Sequence, residues 1–71
     1  MKLPRGLSGA EVVKSLQRLG FTVVRQTGSH VRLAKGSKRI TVPMHRFITV
    51  GTLQSILRQA GVGLEEFLES L

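Results

Sequence analysis

The segment His30-Val31-Arg32-Leu33-Ala34-Lys35 alternates polar and apolar side chains with period two, between two short turn segments, Thr27-Gly28-Ser29 and Gly36-Ser37. A half-buried β-strand has that period, because successive side chains point to opposite faces of a sheet. The turns predict a further strand on each side. Phe21 to Gln26 is short and rich in β-branched residues, while Lys38-Arg39-Ile40-Thr41-Val42 resumes the alternation and stops at Pro43, which has no N–H to give to a ladder. The centre of the chain therefore reads as a three-stranded antiparallel meander. Burying Val31, Leu33, Ile40 and Val42 turns His30, Arg32, Arg39 and Thr41 to the other face. The first strand does not alternate cleanly through Val23-Val24, so either of its faces fits the core and Arg25 stays unassigned.

Helices flank the meander. Ser8-Gly9-Ala10-Glu11 is an S-x-x-E capping box, after which Val12, Val13, Leu16 and Leu19 follow helical spacing as far as Gly20. This predicts a first helix over about residues 9–19. Gly51-Thr52 opens a second helix, with Leu53, Ile56, Leu57 and Ala60 on one face and Gly61 as its stop. The Gly51-Thr52 amides either cap that helix or meet a phosphate, capping being the commoner use. Leu64, Phe67, Leu68 and Leu71 then give a short acidic amphipathic helix. The fold class is α+β, α-β-β-β-α, with the helices on one face of the sheet, the other face open, and a short extra C-terminal helix. Residues 1–71 form a single domain, since a chain of this size buries roughly 60% of its unfolded surface.

Charge narrows the function. Eleven Lys and Arg against four acids give a net charge of +7, and Glu65, Glu66 and Glu69 leave Glu11 as the sole acid in residues 1–64. A cationic body with an acidic tail segment fits a polyanionic partner. Cysteine is absent, which removes disulfides, thiolate metal sites and thiol nucleophiles, and makes the cytoplasm the expected location. Pro4-Arg5 interrupts any apolar leader, and no run reaches the ~18 apolar residues of a membrane span.

The same inventory limits the chemistry. Two-metal phosphodiester cleavage needs clustered carboxylates, yet aspartate is absent and the glutamates sit at the first helix cap and in the last turns. Two histidines fifteen residues apart, without a third ligand, make a poor zinc site. No metal and no cofactor are therefore expected. RNA offers a metal-free route, because its 2′-hydroxyl can attack the adjacent phosphorus when a side chain handles the proton and cations stabilise the phosphoryl oxygens. Histidine suits the proton transfer and arginine the charge. Composition and spacing alone leave catalysis and non-catalytic RNA binding both open. Lys14 and Arg18, one turn apart on the first helix, either touch RNA backbone or solvate that face.

Gly28-Ser29-His30-Val31-Arg32, Thr41-Val42-Pro43-Met44-His45 and Gly51-Thr52-Leu53-Gln54-Ser55-Ile56-Leu57-Arg58-Gln59-Ala60-Gly61, followed by Glu65-Glu66-Phe67, together resemble the HicA (YcfA-like) toxin family. The likeness covers nearly the whole chain. It implies a double-stranded-RNA-binding-domain-like fold, and messenger-RNA cleavage restrained by a cognate HicB-type antitoxin. It further implies that His30 is the catalytic residue, acting as general acid or base. Ser29, Arg32, Lys35, Lys38 and Arg39, the polar and basic residues near it, are on this sequence's own pattern the candidates for binding RNA. The alternative within the same fold is a non-catalytic RNA-binding module. The Pro43-x-His45 element belongs to the resemblance and reads as shaping the turn before the second helix. Phe47-Ile48-Thr49-Val50 departs from the polar, basic loop that the resemblance leads one to expect, which argues against RNA contacts there; Arg46 is its one remaining charge.

Overall fold

A computed structural model of the chain describes residues 6–71. Met1 to Arg5, including the Pro4-Arg5 pair weighed against a leader, lie outside the described residues. The elements run α1 (Gly9–Arg18), β1 (Thr22–Thr27), β2 (His30–Lys35), β3 (Lys38–Pro43), α2 (Val50–Ala60) and α3 (Leu64–Glu69). This is the α-β-β-β-α order with an added short helix.

The starts of α1 and α2 are set by side-chain caps. At α1 the capping box closes in both directions: the Glu11 N–H donates to Ser8 Oγ at 3.2 Å, and the Ser8 N–H donates to Glu11 Oε1 at 3.1 Å. At α2 the cap is Thr49, whose Oγ1 accepts from the Thr52 N–H at 3.2 Å. The helix thus begins ahead of the Gly51-Thr52 pair, and the Thr52 amide is already bonded within the chain. Gly61, left-handed at φ 68°, ends α2 as expected.

The sheet has the order β1-β2-β3, both pairs antiparallel. Val31 lies opposite Val42 and Leu33 opposite Ile40, and all four are buried. They join Val12, Leu16, Leu53, Ile56, Leu57 and Phe67 in one core. Helices α1 and α2 pack against β3, whereas all six residues of the edge strand β1 remain exposed. Val23 pairs with Leu33 and so faces the helix layer, yet stays 37% exposed. The register shifts between Val23 and Arg25, which makes Val24 a bulge. An extra residue in one strand breaks the two-residue period, and this is why β1 does not alternate.

A short strap, Met44 to Ile48, ties the sheet to the helix layer. Its main chain makes three bonds: Met44 N–H to the Ser29 carbonyl at 2.5 Å, Gly9 N–H to the His45 carbonyl at 2.9 Å, and Ile48 N–H to the Leu7 carbonyl at 2.6 Å. Gly9 permits the approach, since a β-carbon there would lie 2.7 Å from Met44 Cα and closer still to the Pro43 carbonyl oxygen. Alanine normally stabilises a helix over glycine by about 1 kcal/mol. Here the sign reverses, because backbone atoms must move. Gly9→Ala is expected to cost about 1–3 kcal/mol, the usual range for overpacking, seen as a fall of about 5–20 °C in Tm; an unchanged or higher Tm would contradict the close approach.

Candidate active site

The β1–β2 hairpin turns through two residues, Gly28 and Ser29. Gly28 has φ 55° while Ser29 keeps a negative φ, the φ pattern of a type II′ hairpin turn, which matches the twist of the flanking strands. A two-residue loop fixes the register: Thr27 lies opposite His30, Gln26 opposite Val31, and Arg25 opposite Arg32. From the other side, β3 places Pro43 opposite His30 and Thr41 opposite Arg32.

The outer face of the sheet, turned away from the helices, therefore gathers Arg25, Thr27, His30, Arg32 and Thr41 around a shallow hollow of about 240 Å³. That is below the roughly 300–1,000 Å³ of sites that enclose whole small-molecule ligands. It suits one group of a larger partner lying across the surface. All five residues are exposed. Arg25 and Arg32 stand directly opposite one another, an arrangement that destabilises a sheet when nothing compensates the charge. No acid is near enough in the fold to do so: Glu11 lies in the first turn of α1, and Glu65, Glu66 and Glu69 lie in α3. The helix layer holds all four carboxylates, and the open face carries cations. Two guanidinium groups offer up to ten N–H donors to an anion, beside an imidazole able to give or take a proton.

The RNA-binding candidates named with His30 are not brought together with it as one patch. Arg32 sits on the same face, two residues along β2. Ser29 is exposed in the turn immediately before His30, its carbonyl engaged by Met44. Arg39 is on the open face but four paired positions away, about 13 Å along the strands at 3.3 Å per residue, and its Nη1 donates to the carbonyls of Gly36 at 2.8 Å and Lys38 at 3.1 Å. Lys35 and Lys38 turn to the helix layer. The Lys35 ammonium donates to the Leu19 carbonyl at 2.7 Å, at the end of α1, and lies 5.7 Å from the Phe21 ring centroid. Lys38 reaches the end of α2 beside Gly61. Cations at helix C-termini are a stabilising arrangement, and the two lysines have that placement. Arg18, though exposed, likewise has a partner within the chain, donating from Nη1 to the Ser70 carbonyl at 2.6 Å.

Arg25, Thr27 and Thr41 complete the hollow and were not singled out as site residues from the sequence. Counting back from a two-residue Gly28-Ser29 turn would have placed Thr27 and Arg25 beside His30 and Arg32; reading the turn as three residues concealed it. Among the described residues no group of three or more His, Cys, Asp or Glu side chains could hold a metal ion. None of their helices is long and apolar enough to cross a membrane.

The profile of the family described as HicA toxin of bacterial toxin-antitoxin matches residues 9–62 of the 71. The chain belongs to the HicA toxin family. A search of curated proteins found no match to it. HicA membership makes the chain a toxin of a toxin–antitoxin system, with an antitoxin as its partner. The HicA match runs from the first turn of α1 to just past α2, and so includes the whole sheet, the His30 hollow and the strap, while α3 lies beyond it.

Proposed function

We propose that this HicA toxin is a metal-independent endoribonuclease acting on messenger RNA, with His30 as general acid or base, and that its antitoxin is of the HicB type. The observation that carries the proposal is the His30 hollow itself: an exposed imidazole beside two mutually opposed arginines, on the face that holds no carboxylate. A phosphodiester laid there relieves the Arg25–Arg32 repulsion and brings its own nucleophile. The 2′-oxygen loses its proton and bonds to phosphorus; the bond from phosphorus to the 5′-oxygen breaks; the departing 5′-oxygen takes up a proton. His30 handles one of these two protons. Arg25 and Arg32 hold the phosphoryl oxygens, where negative charge grows in the transition state. Ser29, next to His30, and Arg39, at the far end of the open face, extend the contact with RNA. Lys35 and Lys38, facing the helix layer, fall outside this grip.

The products identify the route. Cleavage of a defined single-stranded RNA is expected to leave a 2′,3′-cyclic phosphate and a 5′-hydroxyl, to persist in excess EDTA, and to stop when the nucleotide 5′ of the break carries a 2′-deoxy sugar. A linear 3′-hydroxyl product, or loss of activity on chelation, would point to a different mechanism. RNA bound tightly but never cut would return the protein to the non-catalytic reading.

Arg25 supplies a second test, one that separates binding from stability. Arg25→Gln removes one of two like charges standing opposite, so stability is expected to hold or rise by a few tenths of a kcal/mol. Cleavage is expected to fall about 10- to 100-fold, the loss of one charge-assisted contact of about 1.5–3 kcal/mol. Equal cleavage by the variant, measured as kcat/KM on the same RNA, would remove Arg25 from the site.

A further inference from the structure

The strap was expected to lack RNA contacts because Phe47-Ile48-Thr49-Val50 is apolar, and the structure accounts for all of that apolar content except one ring. Ile48 is buried in the core, Thr49 caps α2 and Val50 is its first residue. Phe47 is left 65% exposed. The guanidinium carbon of Arg46 stands 5.8 Å from the centroid of its ring, and the residues around it, Gly6, His45, Arg46 and Thr49, are themselves exposed. The ring is not left to wander, because the backbone on either side of it is fixed by the bonds of His45 to Gly9 and of Ile48 to Leu7. Its position in the fold is equally defined. The strap leaves the sheet at Pro43, the residue opposite His30, and Met44 is bonded to the carbonyl of Ser29. Phe47 is four residue steps on from Pro43, a span of at most about 14 Å. The backbone of Phe47 thus lies within about 14 Å of the His30 end of the sheet, a distance that nucleotides flanking a phosphate in the hollow can span.

We propose that Arg46 and Phe47 form a stacking platform for an unpaired nucleobase of the bound RNA. The inference rests on the ribonuclease reading for the location of the scissile phosphate. Stacking on an aromatic face, reinforced by an adjacent arginine, is how single strands are held without reading their sequence, because every base has a π-face. Arg46 covers one side of the ring and a base covers the other. An RNA base fits this site better than a protein side chain does: among the described residues the ring stands without a contiguous exposed apolar patch for a protein interface, whereas a net charge of +7 draws a polyanion. Single-stranded substrate follows as a specificity, since a paired base cannot present its face.

Binding of the full chain to a labelled, uncleavable 2′-O-methyl RNA of mixed sequence tests this by fluorescence anisotropy, with the same oligomer lacking all its bases as the second probe. Phe47→Ala is expected to weaken binding of the base-containing oligomer about 5- to 100-fold, corresponding to one stacked base. Phe47→Trp should bind it as well as or better than wild type. The base-free oligomer should bind wild type and Phe47→Ala equally. Unchanged binding of the base-containing oligomer by Phe47→Ala would overturn the proposal, as would equal loss on both oligomers, or a variant that loses only a protein partner while RNA affinity stays intact. Cleavage of the unmodified RNA by wild type, run in parallel, answers the ribonuclease reading separately. If wild type binds the base-containing oligomer through Phe47 but never cuts RNA, the platform stands and the nuclease assignment falls.

Discussion

Phe67→Ala is expected to destabilise the protein by about 3–5 kcal/mol, the usual cost of deleting a buried phenyl ring. A domain of this length has roughly 4–10 kcal/mol in total, so the variant should melt about 15 °C or more below wild type. The ring is fully buried although it sits on a six-residue helix near the end of the chain, beyond the span matched to the HicA family. Its burial is part of a larger attachment. The Ser70 hydroxyl donates to the Phe67 carbonyl at 2.6 Å and meets the hydroxyl of Ser15, which is buried on α1, and Arg18 donates to the Ser70 carbonyl. Removing the ring takes away the apolar contact that keeps these polar groups together against α1. Leu71→Ala, at a position 46% exposed, should shift Tm by no more than a few degrees. If Phe67→Ala melts within a few degrees of wild type, α3 is an appendage and not part of the core.

The attachment of α3 also separates the charges. Because α3 docks on α1, Glu65, Glu66 and Glu69 belong to the helix layer, and the open sheet face keeps Arg25, Arg32 and Arg39 without carboxylates among them. A protein with this separation attracts RNA to one face.

Where one interaction decided a conformation, the sequence was sufficient to read it. The Ser8/Glu11 box, the Gly61 stop and the alternation through Val31, Leu33, Ile40 and Val42 are local patterns, and each is present in the structure as read. What escaped depended on the partner of a residue. Val24 is unremarkable in sequence and becomes a bulge only because Val23 and Arg25 pair with Leu33 and Arg32, consecutive residues of the next strand. That broken alternation, together with a turn read as Thr27-Gly28-Ser29 instead of Gly28-Ser29, left Arg25 without a face. Lys35 and Lys38 look like neighbours of His30 in a basic run, but they sit at positions of opposite parity to the outward His30, Arg32 and Arg39, and they end at the termini of α1 and α2. The start of α2 moved from Gly51-Thr52 to Val50 because Thr49 Oγ1 competes successfully for the Thr52 amide. In the strap, apolar composition concealed two different fates, burial for Ile48 and exposure for Phe47, which only the bonds to Leu7 and Gly9 distinguish.

His30→Ala carries the largest functional effect expected of any single substitution. A positioned general acid or base contributes typically about 10²- to 10⁴-fold, and no other histidine of the chain lines the hollow. The side chain is exposed at the start of β2, so its loss should change stability by no more than about 0.5 kcal/mol. Arg25 and Arg32 remain to hold phosphate, and RNA affinity should therefore be retained. That combination distinguishes a catalyst from a structural or binding residue: a structural role would lower Tm, and a binding role would raise Kd. The most direct measurement is the cleavage rate of wild type and His30→Ala, purified in parallel, on one end-labelled single-stranded RNA in EDTA, with Kd and Tm determined on the same samples. The expected result is a rate at least about 100-fold lower in the variant with Kd and Tm unchanged. Cleavage by His30→Ala at the wild-type rate, in preparations free of contaminating nuclease, would contradict the assignment of His30 as the acid or base.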